Sequence, residues 1–302
     1  RGGWPFLSSW CSVADDGDRL DHMRRFALAG LLIAALAPGA FANGRAPGTS
    51  TIHFREGHEQ DIAAGMTFGL LLSHDGGTTW HWMCELAVGY GGLWDPDYSY
   101  LQNGALFATT FNGLMSMSDG CTFNSTSFGT LFVSTDEAAG STLLFGAADA
   151  NDDKIYKSTD QGMTFPTSAT PTGATLSDWY TSMVFAPSDA TKVYAAGYRF
   201  AGPMGAQYKE LLLYKSIDGG TTFTPMGVNG LPSHASGNLS NSASIQIVGV
   251  DPTTPGTVYV DVQSASGPVG DTIYKTTNGT SWTAILSKAD TIAPMSFTCA
   301  EV

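Results

Sequence analysis

The chain has 302 residues, a net charge of −13, 36 glycines and only 14% charged residues. That length supports one large domain with a sizeable core, and that charge excludes a surface built to hold nucleic acid or an anionic membrane. Abundant glycine with few charges suits a turn-rich, all-β protein.

Residues 1–22 carry Trp4, Trp10 and Cys11 without periodicity and read as upstream sequence translated by mistake. Met23-Arg24-Arg25, an apolar run from Phe26 to Ala37 and the closing Ala40-Phe41-Ala42 form the three regions of a secretory signal peptide. The expected boundaries are 23–42 for the signal, cleaved near Ala42, and 43–302 for one domain in a secreted or periplasmic location. The apolar run is too short to span a bilayer. His53-Phe54-Arg55-Glu56-Gly57-His58-Glu59 lacks helical zinc-site spacing and reads as a hairpin loop, so no metal is expected.

Leu70-Leu71-Leu72 is a short strand, and it runs into an eight-residue phrase, Ser73-His74-Asp75-Gly76-Gly77-Thr78-Thr79-Trp80. The phrase returns at Ser116–Phe123, with Ser118 at the position of the Asp. It recurs at Ser158–Phe165 with Asp160 and at Ser216–Phe223 with Asp218, then one residue shorter at Thr276–Trp282 with Asn278. Strands 154–157, 211–215 and 272–275 lead into the last three copies. An Asp or Asn carboxyl or amide oxygen can accept backbone N–H groups a few residues on, and Gly supplies a positive φ, so each copy is a turn. The closing aromatic starts the next strand. Starts at 73, 116, 158, 216 and 276 give a spacing of about 51 residues, that of a four-stranded blade. Pro-led turns at 186–194 and 251–259 fit between the strands of two such blades.

The pattern Ser-x-Asp-x-Gly-x-Thr-Trp/Phe resembles the Asp-box, or bacterial neuraminidase repeat, of sialidase-like and sortilin-like β-propellers. The resemblance implies an all-β propeller of four-stranded blades with Asp75, Ser118, Asp160, Asp218 and Asn278 in structural turns at the rim, away from the ligand face. Five blades are recognisable. Thr291–Phe297 reads as the first strand of an incomplete sixth, so the domain is expected to be truncated at its C-terminus. Cys84 and Cys121 fall in neighbouring blades, and a disulfide between them is expected in an exported protein.

Sialidase chemistry needs three arginines around a substrate carboxylate. Only Arg45, Arg55 and Arg199 follow Ala42, which leaves none for other work. No catalytic residue and no cofactor are therefore expected. Two aromatic-rich loops remain, Tyr90–Tyr100 with Trp94 and Asp95, and Asp178-Trp179-Tyr180. Loops joining blades open on the usual ligand face of a propeller, and aromatic faces beside acids suit sugar rings. Tyr90, Trp94, Asp95, Trp179, Tyr180 and Arg199 are the candidate ligand-binding residues. The leading expectation is a monomeric, secreted, non-catalytic propeller that binds a glycan or an extracellular protein. The alternatives are a glycoside hydrolase of sialidase-like type and an assembly or scaffold factor; for other glycosidases, which need two carboxylates across a cleft, Asp95, Asp97 and Asp178 are the candidates.

Overall fold

The computed structural model describes residues 46–91, 94–148, 153–175, 178–203, 207–232, 244–263 and 271–287. The extension at 1–22, the signal peptide at 23–42 and the sixth-blade strand expected at 291–297 lie outside the described residues.

Blade 1 is β1 (Thr49–Arg55), β2 (His58–Met66), β3 (Gly69–Ser73) and β4 (His81–Met83). Blade 2 is β5 (Tyr98–Tyr100), β6 (Leu106–Thr110), β7 (Gly113–Met117) and β8 (Asn124–Ser125). Blade 3 is β9 (Val133–Ala139), β10 (Thr142–Ala147), β11 (Ile155–Ser158) and β12 (Thr167–Ala169). Blade 4 is β13 (Asp178–Ala186), β14 (Asp189–Ala201), β15 (Tyr208–Ser216) and β16 (Thr224–Pro225). Blade 5 is β17 (Ser244–Val250), β18 (Val258–Gln263), β19 (Asp271–Thr276) and β20 (Thr283–Ser287). Each blade is an antiparallel meander, and the five are set around a ring as a β-propeller. The single helix among the described residues, α1 (Glu85–Val88), is one turn in the loop from blade 1 to blade 2.

Every phrase joins the third strand of a blade to its fourth, so all five lie at the rim. In the three long copies one hydrogen-bond set recurs. Ser73, Ser158 and Ser216 donate Oγ–H to the Asp two residues on, at 2.9, 2.7 and 2.7 Å, and accept a glycine N–H at 2.9 Å in each case. Asp75, Asp160 and Asp218 accept the N–H of the Thr four residues on, at 2.8, 2.9 and 2.8 Å, and its hydroxyl at 2.6 Å. Hydroxyl donation from Thr79 and Thr164 holds the Asp75 and Asp160 carboxyls down at about 2.

The second copy departs from the sequence reading. Its closing carboxylate is Asp119, not Ser118: Asp119 accepts the N–H groups of Cys121 and Thr122 at 2.9 and 2.8 Å. Asn278 accepts those of Thr280 and Ser281 at 2.9 Å in the same way. The second and fifth copies are thus both the short form. The long form needs two consecutive positive φ values (Gly219 67° and Gly220 84°), the short form one (Gly120 73°, Gly279 70°).

Apolar side chains fill the space between successive blades. Leu143, Leu144 and Phe145 are all fully buried, because β10 has a blade on each face and so carries an unbroken apolar run. The closing aromatic of the turn in blades 2 to 5 packs on the blade before it: Phe123 beside Leu70 and Leu72, Phe165 beside Leu114, Phe223 beside Leu144 and Ile155, Trp282 beside Leu211 and Leu213. Burying such a ring stabilises by roughly 1.5–3 kcal/mol. The approach is close. A Cβ on Gly220 would lie 2.6 Å from Leu144 Cδ1, and one on Gly162 would lie 2.2 Å from Phe107 Cζ.

The expected disulfide is not formed; Cys84 and Cys121 are both free and exposed. Strands alternate in direction, so the turns from first to second and third to fourth strand share one face of the ring. The turns from second to third strand and the loops between blades share the other. Cys84 follows β4 on the second face, whereas Cys121 sits in the β7–β8 turn on the first. A three-residue strand already spans ~10 Å, beyond disulfide reach.

Candidate functional site

The face opposite the rim turns carries a continuous ribbon of aromatic rings. Trp94 comes from the loop before β5, Phe111 from the β6–β7 turn, Phe132 from the residue before β9, and Trp179 from the start of β13. Tyr198 and Phe200 come from the end of β14. Centroid distances are 5.3 Å for Trp94–Phe111, 5.0 Å for Trp94–Phe132, 4.5 Å for Phe111–Phe132 and 5.3 Å for Phe132–Trp179. Trp179 and Tyr198 are cross-strand partners, with ring planes 6° apart and centroids 6.2 Å apart. Tyr198 meets Phe200 at 5.5 Å. Five segments far apart in sequence build this surface, because blade-joining loops and second-to-third-strand turns converge on one face.

Beside the ribbon opens a cavity of about 200 Å³, walled by Trp94, Trp179, Tyr180 and Tyr198 and edged by Ser134, Thr181, Lys209, Ser244 and Gln246. Its lining combines apolar ring faces with hydroxyls, one amide and one cation. The Trp94 Nε1–H is buried and meets no acceptor, an unspent donor at the cavity wall. Lys209 is nearly buried, its Nζ 4.2 Å from the centre of the Tyr198 ring, and burial pushes its pKa down.

The structure brings three of the sequence-predicted residues together at this cavity, Trp94, Trp179 and Tyr180. Tyr180 is a wall element held by the core: it is 1% exposed and donates its hydroxyl to the Asp153 carbonyl at 2.7 Å. The other three stand elsewhere. Tyr90 is buried between blades 1 and 2 and donates to the Met66 carbonyl. Asp95 is half-buried and is not among the cavity walls. Arg199 is engaged by its cross-strand partner: its Nη2 donates to Asp178 Oδ2 at 2.8 Å and to the Gly173 carbonyl at 3.0 Å. Tyr214, pushed up to about 12 by burial and by the Asp178 carboxylate, completes that group with its hydroxyl 3.3 Å from Asp178 Oδ2. Sequence reasoning missed Phe111, Phe132, Tyr198 and Lys209. No local signal could have found them, since each is an isolated residue brought in by the ring.

The candidate carboxylate Asp97 is a tether between blades. It accepts from Thr135 Oγ1 at 2.9 Å and from the Asp136 N–H at 3.4 Å on β9, and from the Tyr98 N–H at 3.1 Å. Asp136 next to it is 1% exposed with neither carboxyl oxygen hydrogen-bonded. Burial, then the neighbouring Asp97 and Glu137 carboxyls, drives its pKa well up. Glu137, water-accessible at its edge yet enclosed by protein, is pushed up to about 8, first by burial and then by Asp97. Burial also holds the His53 imidazole below its ordinary value, and its ring meets Tyr98 edge-on at 6.5 Å. These innermost groups are proton-holding and structural in geometry, and none of them walls the cavity.

Among solved structures the chain resembles an ancestral GH74 enzyme, at 14% identity and a TM-score of 0.55, over 81% of this chain and 32% of that one. It also resembles the GH74 xyloglucanase from Xanthomonas campestris, at 15% identity and a TM-score of 0.52, over 79% of this chain and 38% of the other. A looser likeness joins it to YCF48 from Cyanidioschyzon merolae, at 12% identity and a TM-score of 0.40, over 79% of this chain and 85% of that one. At these identities the two GH74 likenesses show the fold alone, a β-propeller. The chain covers about a third of the length of the two GH74 structures. No family model and no curated protein matches it. No helix among the described residues is long and apolar enough to cross a membrane.

Proposed function

We propose that the chain is an exported, non-catalytic binding propeller that holds a glycan on the face carrying Trp94 and Trp179. One observation carries this reading: the aromatic ribbon borders a 200 Å³ cavity whose polar edge is hydroxyls, an amide and one lysine. Flat apolar rings stack on the apolar faces of sugars while the edge groups take ring hydroxyls. In this reading the rim turns are Asp-boxes, which build blades and bind nothing. Export by cleavage after Ala42 belongs to the same proposal.

A glycoside hydrolase of sialidase-like type is supported less well. Arg199 is occupied by Asp178, and the cavity walls carry no carboxylate to act as acid or nucleophile. A glycan array probed with wild type, Trp94→Ala and Trp179→Ala tests the binding reading. Each change is expected to weaken the best signal about ten-fold, ~1.4 kcal/mol. Glycan binding untouched by both changes would move the rings into a purely structural role. Release of fluorophore from a sialoside, abolished by Arg199→Ala, would overturn the non-catalytic reading.

A further inference from the structure

The walls of the ribbon-face cavity differ in what they have left to give. Tyr180 donates its hydroxyl to the Asp153 carbonyl at 2.7 Å and Ser134 to the Gly146 carbonyl at 3.3 Å. Ser244 donates to Gln263 Oε1 at 3.1 Å, and Thr181 to the Ile245 carbonyl. With their protons committed, these hydroxyls offer a ligand lone pairs. The strong donors at the walls are the Trp94 Nε1–H, buried and without an acceptor, and the Lys209 ammonium.

Lys209 is the one charged side chain among the described residues that wall the cavity, and no carboxylate stands among them. It lies on β15 and is 6% exposed, with Nζ 4.2 Å from the centre of the Tyr198 ring. Taking an ammonium out of water is costly, and an anion bound beside it offsets that cost. The net charge of −13 disfavours an anion at range, so the cation belongs to the site and not to a basic surface around it. The cavity, at about 200 Å³, is smaller than the roughly 300–1,000 Å³ of clefts for drug-sized ligands, and suits one six-membered ring.

We propose that the cavity takes a single hexuronate ring, a six-carbon sugar bearing a carboxylate, with that carboxylate held between Lys209 Nζ and the Trp94 Nε1–H. An ammonium is a point charge that satisfies one carboxylate oxygen, and the indole N–H satisfies the other. Trp179 and Tyr198 cover the apolar face of the ring, while Ser134, Thr181 and Ser244 accept from its hydroxyls. The inference rests on the glycan reading and adds the charge and size of the sugar.

NMR titration of the full chain with methyl glucuronide and methyl galacturonide, each beside its neutral carboxyl methyl ester, tests it. The wild type is expected to hold at least one acid roughly ten-fold more tightly than its ester. Lys209→Met keeps most of the stem and drops the charge, and is expected to bind acid and ester alike. Trp94→Phe keeps a ring and loses the N–H, and is expected to narrow the preference. A readout that needs no variant is pH: burial lowers the Lys209 pKa, so the wild-type preference for acid is expected to fade as pH rises into the alkaline range while ester binding holds. Acid and ester bound equally by the wild type, or a preference kept by Lys209→Met, overturns the proposal and leaves the glycan reading standing. A methyl sialoside bound more tightly than either hexuronate overturns it as well, since that sugar is larger than one six-carbon ring. A glycan array without any signal overturns both readings together.

Discussion

Asp218 and Asp119 do the same work in turns of different length. Each gathers backbone N–H groups that would otherwise be left without acceptors where the chain reverses. Asp119→Ala is therefore expected to lower the melting temperature by roughly 2–4 °C, as for loss of a capping side chain, while Ser118→Ala changes it hardly at all. Thermal melts of the two variants decide between the residues; the reverse order would restore Ser118 to the turn. The spacing of Ser116 to Phe123 hid this assignment, because it matches a long copy by count while the Asp119-Gly120 pair matches the short Asn278-Gly279. Trp94 and Trp179 were legible as rings of the ribbon face, since both stand where chain crosses from one blade to the next. Tyr90, Tyr180 and Arg199 carry the same composition signal, yet burial and a cross-strand acid claim them.

A blade is stable only against its neighbour, so the cost of a substitution depends on where in the ring its element sits. Phe223→Ala removes a ring buried between blades 3 and 4 and is expected to cost ~3–5 kcal/mol in chemical denaturation. The equivalent Trp80→Ala on blade 1 is expected to cost under about 1 kcal/mol, because its ring is already 42% exposed. Equal losses would mean that Trp80 is packed as the other closing rings are. The blade pattern itself was readable in advance: the turn phrase, its period and the strand before each copy are local signals. The ring geometry that separates Cys84 from Cys121 was not, for neighbouring blades bring two residues together only when both lie at the same end of their strands.

At the scale of the molecule, the buried carboxyls make stability depend on pH. Glu137 rises from an ordinary 4.5 to about 8, so between those values the unfolded chain sheds a proton that the folded protein keeps, and stability falls as pH rises. Asp97 and Asp136 act in the same direction. His53, held neutral by burial, acts oppositely and only as pH falls through its ordinary 6.5. The melting temperature is thus expected to fall between pH 6.5 and 8, and Glu137→Gln to flatten that slope; a flat wild-type profile would contradict the assignment. The central claim is that ligand is held by the ribbon face and not by the rim turns. Isothermal titration of the strongest array glycan into wild type, Trp179→Ala and Asp218→Ala tests it most directly. The account expects Trp179→Ala to lose about ten-fold or more in affinity and Asp218→Ala to bind as wild type does. Affinity kept by Trp179→Ala and lost by a folded Asp218→Ala would contradict it.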